Sequence, residues 1–299
     1  MPKSLEDSFL EPSGTKAAIQ LALNSPAGLR VSWIVVEGED DVAVYSRFME
    51  PENTVVKTSE GGNGRQGYAN VETIVTEIKA EVPVAHIFGI RDADYSLYNE
   101  KVTCPENIFL TDRRDLEMML LESDSVRHAL NEWMPDFETT LDKCLPICRY
   151  FGYLRICNEV LNLGCKFHDH LKTTRFWDFQ QHTLKDNWQD SCTSIFISLS
   201  KGAGTKKDVE EFIEEKSLKK EDFHDICRGH DLLPLLSLML VNVQVYSVEK
   251  IMQKMIQAYT QEDFAHTQLH ARISQWQEHE GVSVLIIKNR MDGTTNQHK

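Results

Sequence analysis

The chain has 299 residues, enough for one large domain or two of ordinary size, and 41% of them are hydrophobic. A net charge of −14 argues against a free-standing protein that grips nucleic acid through a broad basic surface. The sequence has no apolar run long enough to cross a bilayer and no signal-peptide core at its polar amino terminus. These features predict a cytoplasmic protein.

The first third of the chain alternates between strand and helix patterns. Residues 1–29 read as a loose arm and a short helix, and the β-branched run Ile34–Val36 then predicts a strand buried on both faces. Gly38 is expected to form a turn that few other residues accept, and a helix to begin at Asp41. Glu37 therefore stands at the carboxyl end of a strand, where open α/β sheets bind ligands.

Three further strands follow in this alternation, separated by a helix and by loops. Strand patterns lie at 54–57, 84–90 and 107–110. The pattern at 68–80 predicts an amphipathic helix. The order predicts an α/β fold: a Rossmann-like parallel sheet with helices on both faces, spanning 30–122. Beyond it, residues 123–299 are predicted to form a mainly helical region, with helix patterns at 126–134, 137–162, 209–216, 232–243 and 248–259.

A second group of acids follows the strand at 84–90. Asp92 and Asp94 are two residues apart, so on extended backbone their side chains point the same way. Paired carboxylates suit Mg²⁺ or Mn²⁺, whereas an isolated Asp-x-Asp is more often a turn former. Glu39 and Asp40 are better explained as solvated charges at a helix start.

Each of the arginines near these acids has two possible roles. The glycine-rich stretch 59–67 lacks a Walker ending and is best read as a loop, although Arg65 could touch substrate phosphate. Arg113 and Arg114 are either partners for nearby acids or cations that meet a scissile phosphate.

The acidic motifs together resemble a Toprim domain. The resemblance is to the branch called domain-of-unknown-function family 4435, an OLD-like group that includes the nuclease subunit (AriB) of the PARIS anti-phage system. It covers roughly residues 30–122. The motifs that carry it are Val36-Glu37-Gly38-Glu39-Asp40-Asp41-Val42, Asp92-Ala93-Asp94 and Asp112-Arg113-Arg114-Asp115-Leu116-Glu117, with a weaker match at Arg228-Gly229-His230-Asp231.

The resemblance implies a metal-dependent nuclease of RNA, possibly tRNA, or of DNA. Mg²⁺ or Mn²⁺ would be held by Asp41, Asp92 and Asp94, directly or through water, and Glu37 would complete the coordination or act as the general base. The same resemblance implies that Asp115 and Glu117 bind a second ion or orient the first. It also implies that His230 contacts a phosphate or assists the chemistry.

The resembling anti-phage effectors are held inactive by a separate ATPase of ABC/OLD type, which would be this chain's partner besides nucleic acid. A homodimer is a further expectation. The chain has no ATPase motif, so any ATP dependence must come from the partner.

Other function classes stay open. A degenerate Toprim module would bind metal or a partner without catalysis. A metal-dependent phosphatase or receiver-like protein also places acids at strand ends, but no lysine stands where a receiver needs one. A topoisomerase tyrosine and a primase zinc ribbon cannot be identified.

Residues 123–299 contain six of the seven cysteines, which are better explained as buried free thiols than as a zinc site. The aromatic-rich stretch 167–188 is more typical of a core than of a base-stacking surface, and the small lysine runs are typical of a solvated face.

Overall fold

The computed structural model describes residues 14–59, 67–98, 103–167, 171–178, 180–181, 183–202, 204–240 and 246–286. These residues form two compact units. Unit 1 lies within Met1–Arg91, Cys104–Leu110 and Gln261–Lys299, and unit 2 within Asp92–Thr103 and Thr111–Thr260. The helices at 261–280 belong to unit 1, and the acidic segment 111–117 belongs to unit 2.

Unit 1 contains a parallel sheet of four strands in the order β2-β1-β3-β4. This confirms the predicted α/β class and all four predicted strands. The strands are β1 Ser32–Val36, β2 Thr54–Thr58, β3 Ile87–Arg91 and β4 Ile108–Leu110, and the helices are α1 Gly14–Leu23, α2 Glu39–Tyr45, α3 Tyr68–Glu81, α12 Gln261–Ala265 and α13 Gln268–Glu280.

Alternate residues of the strands serve opposite faces of the sheet. On one face, Trp33 and Ile87 pack with the buried side chains of α1 and α3. Gly89 allows this close packing, because a Cβ there would lie 2.5 Å from Val71. On the other face, Phe88 meets Trp276 of α13 with ring centroids 4.7 Å apart. Helices therefore cover both faces, as predicted.

Unit 2 is mainly helical, which confirms the helical character predicted for the later part of the chain. Its longest helix, Phe137–Val160, buries both thiols of its first half, Cys144 and Cys148. The helices of unit 2 are α4 Leu116–Glu122, α5 Asp124–Trp133, α6 Phe137–Val160, α7 Trp188–Leu199, α8 Lys206–Glu215, α9 Phe223–Ile226, α10 Gly229–Met239 and α11 Val248–Ala258, and a short hairpin joins β5 Trp177–Asp178 to β6 Thr183–Leu184.

All seven cysteines are free, and six of them are buried, as expected of structural thiols. Phe167, Phe176 and Trp177 of the aromatic stretch are buried, as expected of a core, whereas Trp188 is half-buried. Among the described residues, no helix combines the length and the apolar character that a membrane span requires.

Candidate functional site

The first acidic segment lies in unit 1, where β1 ends and α2 begins. Glu37 follows β1 directly and is half-buried, and its carbonyl oxygen accepts a 3.5 Å hydrogen bond from the Ser59 hydroxyl. The carboxylate of Asp41 accepts the backbone N–H of Gly38 at 3.0 Å, so it caps the start of its own helix. Glu39 and Asp40 are exposed, as expected of solvated charges.

Two expectations for this segment are wrong. The helix begins at Glu39 rather than Asp41, because the Asp41 cap brings the preceding residues into the first turn. The backbone of Gly38 is extended, with φ of −141°, and a Cβ there would meet its nearest neighbour, an Asp41 carboxylate oxygen, only at 3.6 Å. The backbone therefore does not require glycine at position 38.

The second acidic segment begins unit 2 immediately after β3 ends at Arg91. Asp94 has a left-handed backbone with φ of 46°, so the expectation of extended backbone through Asp92 and Asp94 is wrong. The Asp92 carboxylate instead accepts the N–H of Leu116 at 3.1 Å. The N–H of Asp94 donates to the carbonyl of Arg114 at 2.8 Å, which joins this loop to the third acidic segment.

Arg114 is the buried cation of this site, with only 2% of its surface exposed. Its guanidinium lies 3.8 Å from the centre of the Tyr95 ring and donates a hydrogen bond to the Tyr95 hydroxyl. Asp94 and Asp115 lie 3.6 and 4.0 Å from its nitrogens. Its Nε has no hydrogen-bond partner among the described residues. The structure thus gives Arg114 the first of its two predicted roles, a partner for nearby acids.

Arg113 is also held by acids. Its guanidinium donates two hydrogen bonds to the Glu122 carboxylate, one of them 2.7 Å long, and a third to Asp225 at 2.9 Å. Hydrogen bonds and charge from these acids raise the pKa of Arg113. Contact of either arginine with a substrate phosphate stays a prediction.

Asp115 is a buried carboxylate, 3% exposed, that serves two helix starts. One oxygen accepts the N–H of Met118 in its own helix at 3.0 Å. The other accepts the N–H of Gly229 at the start of α10, at 2.9 Å. Burial and the neighbouring Glu117 charge raise the pKa of Asp115 to about 7, against the pull of Arg114 and these two amides.

Glu117 pairs with His230. The Glu117 Oε1 lies 3.1 Å from the His230 Nδ1, and the two side chains are 12% and 71% exposed. The hydrogen bond to Glu117 raises the pKa of His230. Burial acts to raise the pKa of Glu117, but the hydrogen bond and charge of His230 outweigh burial and lower it.

The segment carrying His230 is anchored on both sides. A Cβ on Gly229 would lie 2.4 Å from the Glu117 side chain, so the two segments touch. Asp231 accepts two hydrogen bonds from the Arg155 guanidinium, at 2.8 and 2.9 Å, and both side chains are largely buried. Sequence reasoning missed Arg155, although a single arginine between Leu154 and Ile156 of an apolar helix face is a signal for a buried ion pair.

The structure therefore connects most of the predicted site residues of unit 2. One set of contacts joins segments 92–94, 114–117 and 228–231, and it includes Asp92, Asp94, Arg114, Asp115, Glu117 and His230. The meeting of Glu37 and Asp41 with these acids stays a prediction. Arg65 lies outside the described residues.

The donor chemistry of the predicted metal ligands fits a hard divalent cation, since Glu37, Asp41, Asp92 and Asp94 offer only carboxylate oxygens. Within the described ranges, no group of three or more acidic, histidine or cysteine side chains is already arranged around a metal position. Both oxygens of Asp115 already accept backbone amides.

Comparison of the sequence with protein-family models found no match. A search of curated proteins found no match either.

Proposed function

We propose that this protein is a nuclease of Toprim type that depends on Mg²⁺ or Mn²⁺. One observation carries the proposal. Glu37 and Asp92 are the residues that directly follow β1 and β3, and these two strands pair side by side in parallel. The carboxyl ends of neighbouring parallel strands are where open α/β sheets bind ligands, and carboxylate oxygens are the ligands that Mg²⁺ and Mn²⁺ prefer.

The residues have distinct roles in this proposal. Glu37, Asp41, Asp92 and Asp94 would hold the metal, which when bound neutralises the scissile phosphate and makes a water more acidic. Glu37 takes the proton of the attacking water. Arg114, buried between Asp94 and Asp115, fixes the loop that carries Asp92 and Asp94.

The regulation we propose rests on the resemblance to anti-phage effectors, and the net charge is compatible with it. A chain with net charge −14 attracts polyanions weakly, which suits an effector whose resting partner is a protein rather than nucleic acid. We propose a cytoplasmic anti-phage effector controlled by a separate ATPase of ABC/OLD type, acting on RNA, possibly tRNA, or on DNA.

The test is cleavage of labelled tRNA and of plasmid DNA in Mg²⁺, Mn²⁺ or EDTA. We expect cleavage that requires the metal, and a loss of about 10²-fold or more in Glu37→Gln and Asp92→Asn. Glu132→Gln is the matched control, because Glu132 is 70% exposed and pairs only with its helix neighbour His128. Full cleavage by Glu37→Gln, or none by the wild type with either metal, would exclude the proposed function.

A second candidate is a Toprim module that binds a partner without catalysis. The commitment of both Asp115 oxygens to backbone amides favours it, since this acid then acts as a structural cap. Calorimetric titration with Mn²⁺ separates the two: a catalytic site binds the ion and loses it in Asp92→Asn, whereas a purely structural module shows no heat in either protein.

A further inference from the structure

The segment 228–231 is fastened to the acidic segment 115–117 residue by residue. The Gly229 N–H donates to Asp115, and its Cα lies against Glu117. Asp231 is held from the other side by the two hydrogen bonds from Arg155. Both neighbours of His230 are therefore buried and fixed, while His230 itself is 71% exposed. Such a framework holds a solvent-facing imidazole in one position.

The orientation of this imidazole is set by Glu117. The Nδ1 atom lies 3.1 Å from Glu117, whose side chain is only 12% exposed. A carboxylate at Nδ1 fixes the tautomer and the ring plane, so Nε2 is the nitrogen that a substrate in solution would meet.

The contact with Glu117 suits a protonated imidazole at position 230, because a carboxylate at hydrogen-bond distance accepts the Nδ1 proton and leaves the Nε2 proton available. An imidazolium held by a buried carboxylate can give up a proton from Nε2 during a reaction and regain one from water.

We propose that His230 is the general acid of the nuclease reaction, and that Glu117 is its positioning residue rather than a metal ligand. This inference rests on the proposed function and adds the fate of the leaving group to it. The attacking water forms a new P–O bond and passes its proton to Glu37. The P–O bond to the leaving oxygen breaks, and that oxygen takes the Nε2 proton. Neutral His230 then recovers a proton from solvent.

A substrate whose leaving group needs no proton distinguishes general acid catalysis by His230 from phosphate binding by His230. The wild type and His230→Gln are compared on a labelled strand that the wild type cleaves and on thymidine 5′-p-nitrophenyl phosphate, whose leaving phenolate is stable. We expect His230→Gln to lose about 10²- to 10⁴-fold on the strand, and little on the nitrophenyl ester. The control is His128→Gln, from an exposed His128–Glu132 pair 3.3 Å apart.

Equal losses on the two substrates would overturn the general-acid role and leave His230 as a phosphate contact. A wild type that cleaves neither substrate with Mg²⁺ or Mn²⁺ removes the proposed function and this inference with it. The positioning role of Glu117 is tested independently in metal-free protein. In ¹³C-histidine NMR, Glu117→Gln should lower the midpoint of the His230 titration, and an unchanged midpoint would exclude the positioning role.

Discussion

Two acidic helix starts follow strands in this chain, and they use their carboxylates differently. In unit 1, Asp41 is partly exposed and caps Gly38, three residues away. In unit 2, Asp115 is 3% exposed and caps both Met118 and Gly229, which is 114 residues away. The first carboxylate caps its own helix start. The second joins two helices and fixes the segment that carries His230.

Burial of the Asp115 carboxylate disfavours its ionised form. A carboxylate taken out of water favours its neutral form, and burial raises the pKa of Asp115 to about 7. The two amides recover part of that cost because their N–H groups would otherwise be buried without acceptors. An acidic residue can therefore be retained at a strand end for structure alone.

The largest predicted effect is on stability when Asp115 is truncated. Asp115→Ala leaves two buried N–H groups without acceptors, at about 1–3 kcal/mol each, so we expect a loss of at least about 2 kcal/mol in the free energy of unfolding. Asp41→Ala is the matched comparison, with an expected loss of about 0.5–2 kcal/mol for the cap on Gly38. Urea unfolding followed by circular dichroism measures both. Equal losses would mean that Asp115 is no more than a local cap.

The contact between Gly229 and Glu117 predicts the next effect. A methyl group at position 229 would lie 2.4–2.6 Å from the Cβ, Cγ and Cδ of Glu117, so the two segments must separate. Overpacking of this kind costs about 1–3 kcal/mol. Gly204→Ala is the control, because a methyl group there meets nothing closer than 3.8 Å. If Gly229→Ala unfolds at the same urea concentration as the control, the two segments are not packed as described.

The same comparison shows what the sequence could and could not predict. Periodicity was sufficient for the four strands, since Ile34–Val36 and its counterparts have apolar patterns that depend only on near neighbours. Their parallel pairing followed from the alternation with helices. The helix Gln268–Glu280 was missed, although its buried Leu269, Ile273 and Trp276 recur at helical spacing.

The candidate site was less predictable, because its contacts join residues far apart in sequence. The acidic pattern around Asp115 is compatible with a metal ligand or a cap, and its hydrogen bond from Gly229 joins positions 114 residues apart. The Arg228-Gly229-His230-Asp231 segment was noticed as a motif, but its pairing with Glu117 and with Arg155 depends on how α6 and α10 pack. Local spacing carries no such information.

The smallest predicted effect is a pH-dependent contribution of the Glu117–His230 pair. The pKa of His230 is raised from 6.5, so its stabilising contribution is complete below pH 6.5 and is lost as pH rises through the raised value. The pKa of Glu117 is lowered from 4.5, so its contribution is complete above pH 4.5 and is lost as pH falls through the lowered value. The pair should stabilise unit 2 most between pH 4.5 and 6.5.

A double-mutant cycle of Glu117→Gln and His230→Gln isolates this coupling from the effect of Glu117 on Asp115. Because His230 is largely exposed, water and salt screen the pair, and the coupling free energy should not exceed about 1 kcal/mol. Urea unfolding of the four proteins at pH 5.5 and at pH 9 should show coupling at the lower pH and none at the higher. Coupling that is equal at both values would mean that the contact is a neutral hydrogen bond. Segment 228–231 would then orient His230 without stabilising its charged form. Its difference from the helix start at Asp41 would lie in its buried contacts.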